Sequence, residues 1–574
     1  MKKHESTLCI RGLLWVMLTL ACCAPFARTA AQTAPQILNQ GSEWNNTTRL
    51  QFYSQDQGSQ LIPLKWIKAL KQPNAEPFLA NNLDRYGYLP NPVTPGLPIG
   101  FTTTVGNNTT YLGMNCAACH TRQIDVAGIS YRIDGGPAIT ELQTFQTDLD
   151  AAVNTVLSNN TAFDEFAGAV LGASPTPTAK QKLHDDLAAW FLPFHAITSS
   201  LPAASPWGPG RADCISLIFN RVSGLDIGPP PTYMITENIK PADVPVRFPF
   251  VWNASRQDWT QWPGFAPNGN KLFGLSRNVG EVIGVFAEFH PFKDNSKLLK
   301  VNYSRNNSAN FSGLNKLEEL ITKVGPPKWP WALDQSLVAR GAQVYKQKDA
   351  AHGNQSCEGC HGITKGKFRS LFHRTWATPI LDVGTDSRQI NLLDSQVKTG
   401  VLEGARILGI VSTPLKPVDS AKSVLVISVA GSILQNYFTL GLIERSDQLS
   451  ETGKPNAAAA TNAAPGSAAA TKFPYESRVM QGIWAAAPYL HNGSVPTLAE
   501  LLTPDSQRVS EFRVGPAYDI QNVGLAAQQT KFNYRLKTTD CSDRNSGNSR
   551  CGHNYGTGFS AADKKALLEY LKSL

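Results

Sequence analysis

The stretches "NCAACHT" (residues 115–121) and "SCEGCHG" (residues 356–362) decide how this chain is read. Each contains the pentad Cys-x-x-Cys-His. With 10 Cys and 10 His in 574 residues, chance supplies about 0.003 such pentads per chain. Two are present. A zinc site would need four ligands at compatible spacing. A thioredoxin-type CxxC needs a βαβ setting and no fixed histidine after it. The pentad fits covalent heme c: two thiols add to the heme vinyl groups, and the adjacent imidazole lies beneath the iron. Cys116, Cys119 and His120 would hold a first heme. Cys357, Cys360 and His361 would hold a second.

The N-terminus agrees with that chemistry. A basic "MKKHESTLCIRG", an apolar "LLWVMLTLACCA" and a small-residue "FARTAAQ" form the three regions of a secretory signal over residues 1–31. The apolar run is short for a bilayer span. No later run reaches about 18 apolar residues, so no membrane span is expected. Export to the periplasm or medium is expected; a lipoprotein anchor at Cys22 or Cys23 is the weaker alternative, because "TLAC" departs from a lipobox. Removing the signal lowers the formal charge from +9 to about +6, with no Lys/Arg run that would suggest nucleic acid. Outside the pentads and the signal region only Cys214, Cys541 and Cys551 remain. Cys541 and Cys551 bracket a polar loop and could close a disulfide. Cys214 is then read as a small buried apolar residue.

The mature length exceeds what one core supports, so two domains are expected: 32–330 around the first pentad and 331–574 around the second. "AITELQTFQTDLDAAVNTVLSN" and "TAKQKLHDDLAAWFLPFHAITSS" carry helical periodicity, and "RNVGEVIGVFAEF" reads as a buried helix. Residues 200–275 are rich in Pro, Trp and Gly and too aromatic for disorder. A helix capped by Asp334 leads into the second pentad. A C-terminal helix capped by Ser560 should pack across the heme-bearing helical region. Residues 454–474 are low-complexity. The expected fold is mainly α: two cytochrome c-type heme domains with long irregular loops.

Several stretches carry a family resemblance. "RGAQVYKQ…CEGCHG" and "GIWAAAPYLHNGSVPTLAELL" look like the C-terminal heme domain of di-heme cytochrome c peroxidases and of the related rubber oxygenases. "YLGMNCAACHTRQI…YRIDGGPA", "GPGRADCISLIFNRV", "FPFVWNASRQDWTQW" and "RNVGEVIGVFAEF" resemble the rubber-oxygenase-like branch more closely. The likeness spans roughly residues 80–574. The shorter N-terminal domain and the "LG..LF.D" approach of ordinary bacterial di-heme peroxidases are missing.

The resemblance implies that the first heme reacts and the second transfers electrons. An electron-transfer heme has both axial positions filled by protein, whereas a reacting heme keeps one open. For the second heme the resemblance implies His491 as sixth ligand, with Met480 next and His373 and His352 weaker. For the first heme it implies an apolar distal pocket with a Phe over the iron; Phe286 is the best match, beside Val285. Glu281 is a second candidate for the catalytic role, as acid–base for O–O cleavage; the competing role for Glu281 is an ion pair with Arg277. His290 would close the site if it bound the iron, whereas His184 and His195 read as surface residues. A tryptophan between the hemes, if one exists, would be Trp259 or Trp262.

The function expected is an oxidoreductase. In the first version O2 at heme 1 cleaves an apolar, isoprenoid-like substrate. In the second, hydrogen peroxide is reduced with electrons from a small redox protein. A third, non-catalytic version is an electron carrier. The cofactors are two heme c groups; the resemblance also admits calcium, which spacing does not place.

Overall fold

The computed structural model describes residues 34–362, 364–365, 376–436 and 472–574. The signal, Cys22, Cys23, His373 and nearly all of the low-complexity tract lie outside these residues.

The expectation of a mainly α fold is corrected. Helix of all kinds makes up 38% and strand 16%, the strands spread over many small sheets. The largest departure surrounds the first pentad. Strands Phe101–Gly106 and Thr109–Met114 pair antiparallel before it, and Thr121–Val126 pairs with Ile129–Asp134 after it. Each hairpin closes on two residues with positive φ, Asn107 and Asn108 in one, Ala127 and Gly128 in the other. Such turns match the right-handed twist of the strands they join. Short edge strands complete both sheets: Ile62–Pro63 on the first and Gln36–Ile37 on the second.

Helices then take over. Leu142–Ser158, Asn160–Leu171 and Pro177–Thr198 follow the apolar periodicity of their sequences. The apolar sides of all three line one core with the first sheet, where Phe101, Phe145 and Tyr88 meet edge to face. The Pro/Trp-rich tract is ordered, and Trp207 and Trp252 are wholly buried. The helix Lys271–Gly284, N-capped by Asn270, packs against Phe311–Ile321 and Ala421–Asn436.

Asp334 caps Gln335–Lys346 by accepting from Ser336 and Leu337 N–H groups. Ser560 caps Ala561–Ser573, accepting from Asp563 N–H. These two helices cross closely at Gly341, where a Cβ would lie 2.0 Å from the Ala566 carbonyl oxygen. The Cys541–Cys551 disulfide forms. Near residue 330 the connector is packed rather than open: Trp329 and Trp331 sit edge-on to Trp484. One apolar core therefore holds Phe52 and Ile133 together with Trp484 and Leu567. No helix of the described residues is long and apolar enough to cross a membrane.

Candidate heme sites

The first pentad is a single tight turn between two hairpins. Asn115 caps it, accepting from Ala117 N–H at 2.9 Å while its amide donates to the carbonyls of Phe52 and Gln55. Cys119 N–H and His120 N–H both donate to Cys116 O, so Cys116, Cys119 and His120 fall on one side. Gly100 makes room for this turn. It has φ +78°, and a Cβ there would lie 2.0 Å from Ala118 N.

His120 Nδ1 lies 2.8 Å from Pro249 O. A carbonyl only accepts, so Nδ1 carries the proton and Nε2 is left with its lone pair, as a metal ligand requires. Burial lowers the imidazole pKa to about 4, which keeps the ring neutral. The second pentad repeats the arrangement on different scaffolding. Ser356 caps the helix Cys357–His361, and His361 Nδ1 lies 2.7 Å from Arg478 O.

Each pentad opens on its own cavity. The two are alike in size, each with a cavity volume of about 170 Å³. All four pentad thiols are free of disulfides. Burial holds Cys116 and Cys119 up at about 12, so as free thiols they are neutral. Two thiols, one correctly tautomerised imidazole and a mainly apolar cavity fit heme c at each pentad.

The two cavities differ in what else they present. The Cys357 cavity contains two further histidines, His491 and His553. His553 pairs with His361, with ring centroids 6.0 Å apart and a 42° tilt. Its Nδ1 is buried with no hydrogen-bond partner, and its backbone sits in the left-handed region at φ 52°. A buried ring nitrogen without a partner is free to meet a ligand. His491 reaches the cavity wall but stacks on Tyr475 at 3.9 Å. Burial lowers both imidazoles to about 3. Met480 also lines this cavity, whereas His352 is occupied by Asp349. The sequence singled out His491 and missed His553. The signal available was a histidine two residues after a disulfide cysteine, in "RCGHNYG".

Among the described residues His120 is the one histidine lining the Cys116 cavity. Phe286, Val285 and Glu281 line it too. Phe286 does not lie on the same helix as Glu281; that helix ends at Gly284. Phe286 instead has φ 68°, a costly conformation for a bulky residue. It is held there by Gln60 N–H donating to its carbonyl and by Ser59 Oγ donating to Val285 O. Phe194 and the Arg221 guanidinium, 5.6 Å from the ring centre, pack on its side chain.

Glu281 accepts from Gln261 Nε2 at 3.0 Å. The competing ion pair with Arg277 does not form, because Arg277 pairs with Glu318. Burial raises the Glu281 pKa; Arg277 and the Gln261 bond offset part of that rise. Cys214 also lines this cavity instead of sitting in an isolated apolar core.

The remaining sequence candidates lie elsewhere. His290 lines neither cavity; it stacks on Tyr233 at 4.1 Å and lies 3.8 Å from Asp226. His184 and His195 have half-exposed side chains, the latter bonded to Asp150. Trp262 lines the Cys357 cavity alone, and Trp259 lines neither. Phe250 and Arg478 are the residues common to both walls. The one group of three metal-ligating side chains among the described residues is Asp505, Cys541 and Cys551, whose sulfurs are bonded to each other. It offers no calcium site.

Comparison with known proteins bears on this geometry. The uncharacterized protein y4iJ of Sinorhizobium fredii is 29% identical over 593 aligned residues, covering 92% of each chain. The uncharacterized protein y4iM of the same organism is 25% identical over 276 residues, 48% of each chain. Residues 474–513, which include Arg478 and His491, match the family model described as RoxA-like, cytochrome c-like. That match, to one segment of the chain, implies heme c and supports a cytochrome-type protein.

Proposed function

We propose that the protein is an exported di-heme oxidoreductase. The Cys116 site is the reacting centre and the Cys357 site is the electron-transfer centre. The observation that carries this is the asymmetry of the cavities: His361 is matched by a second imidazole at 6.0 Å, and His120 shares its cavity with no other histidine among the described residues. Six-coordinate iron exchanges electrons; five-coordinate iron also binds a small oxidant.

Heme held at His120 would supply O2 or peroxide binding and one-electron chemistry. The protein's own groups do the rest. Phe286, pinned by two backbone bonds, keeps the space beside the ligand position apolar and limits water entry. The substrate that suits this wall is apolar and isoprenoid-like. Oxidative cleavage of its C=C bond by O2 yields two carbonyls and draws no net electrons from outside.

Glu281 favours a second version. Its raised pKa lets the carboxyl hold a proton at Oε2 while Oε1 accepts from Gln261. A proton so placed can pass between peroxide oxygens. Peroxide reduction consumes external electrons, which a small redox protein would deliver at the Cys357 site. Fold likeness alone does not choose between these reactions.

Purified protein should show one ligand-accessible heme and one low-spin heme by absorption and EPR spectroscopy. Oxygen uptake with an unsaturated polyisoprenoid and no reductant indicates the oxygenase. Peroxide-dependent oxidation of a reduced cytochrome or cupredoxin indicates the peroxidase. Two low-spin hemes inert to CO and cyanide before and after reduction would sink both.

A further inference from the structure

Arg478 is the feature that neither version of the function uses. It is 7% exposed and lines both cavities. Its backbone carbonyl accepts from His361 Nδ1. Its Nη2 donates to Phe250 O at 3.1 Å, and Phe250 directly follows Pro249, whose carbonyl accepts from His120 Nδ1. One residue thus fixes the imidazole of one pentad and braces the chain that fixes the other.

The guanidinium itself is poorly matched. It lies 4.6 Å from the Phe250 ring centre and 5.4 Å from that of Trp262. Its Nη2 also reaches Gln257 Oε1, at 3.5 Å, while its Nε has no hydrogen-bond partner, and it forms no direct ion pair among the described residues. Glu476 attracts it only through space. A buried, unpaired cation with an orphaned donor is costly unless an anion reaches it. Heme carries two propionate carboxylates, and Arg478 lies on the boundary of both cavities.

We infer that Arg478 is a shared positioning residue, one buried cation that borders both cavities and raises the reduction potentials of the two hemes they would hold. The inference rests on the di-heme reading above. A nearby positive charge favours the ferrous over the ferric state, so it raises the potential of each heme it faces. The guanidinium stays protonated throughout, so no proton is exchanged.

The test is spectroelectrochemical titration of R478Q against wild type and R247Q. Arg247 lines only the Cys357 cavity. R478Q should lower the ferrous-to-ferric ratio at fixed potential at least tenfold at both hemes, about 59 mV for a one-electron couple. R247Q should move the Cys357 heme alone. R478K, which keeps the charge but not the planar fork, should restore most of both shifts. If R478Q fails to take up heme, R478M, neutral and of similar length, carries the same titration, and the same common fall of both midpoints is expected. Movement of one midpoint only, or of neither, overturns the inference. A pyridine hemochrome count of fewer than two hemes in the wild type would instead overturn the di-heme reading, and the inference with it.

Discussion

Replacing His553 by glycine separates the two histidines of the Cys357 cavity. Two imidazoles on opposite faces of one metal, with metal–nitrogen distances of about 2 Å, place their ring centroids roughly 6 Å apart. His361 and His553 lie 6.0 Å apart. His491 is stacked on Tyr475, a contact worth about 0.5–1.5 kcal/mol. Glycine suits the site sterically because the backbone there has φ 52°, which costs a β-carbon residue about 1–2 kcal/mol. The backbone should therefore survive the change, leaving a void the size of an imidazole. H553G should convert the low-spin heme to a high-spin or water-bound form, visible by EPR and absorption. Added imidazole should restore the low-spin spectrum. H491A should keep that spectrum and lose only the stacking stability. Loss of the low-spin signal in H491A with its retention in H553G would refute the assignment.

Three further outcomes follow from the packing. E281Q keeps the acceptor for Gln261 but removes the carboxyl proton, so peroxide turnover should fall about 10²–10⁴-fold with heme spectra unchanged; unaltered turnover in stopped-flow assays would exclude Glu281. G341A places a methyl against the Ala566 carbonyl, so thermal unfolding should show a loss of about 1–3 kcal/mol that also perturbs the Cys357 heme band. Asp226 is buried, and burial raises its pKa well above the ordinary carboxyl value despite Arg221. The folded protein therefore holds this proton more tightly than the unfolded chain. Its contribution is fully present below the unfolded pKa and is lost as pH rises toward the folded one. D226N should flatten that fall in urea titrations run at several pH values; an unchanged slope would show that Asp226 is not its source.

Much of the chemistry was legible locally. The pentads are covalent instructions, and their three reactive groups fit within one turn, so spacing alone reports them. Capping is equally local: Asp334 and Ser560 each satisfy N–H groups two or three residues away. The hairpins beside the first pentad were legible in part, in the alternation of "ISYRID" and the turns Asn107-Asn108 and Ala127-Gly128. The strand "TTYLGM" carries no such alternation, because its last three residues are all buried.

By itself, then, the sequence determined which residues can bond heme, where several helices begin, and that Cys541 and Cys551 can pair. Tertiary structure decided which distant groups share a cavity. His553 lies 192 residues beyond His361 in the chain, and Arg478 lies 117 beyond it, yet both meet that imidazole or its cavity. Periodicity and caps extend over a few residues, because they depend on groups that one turn of backbone brings together. A cavity wall is assembled by loops whose approach is set by packing of the whole core. Phe286, held at a strained φ by Gln60 and Ser59, shows the same thing: its position comes from residues more than 200 places away.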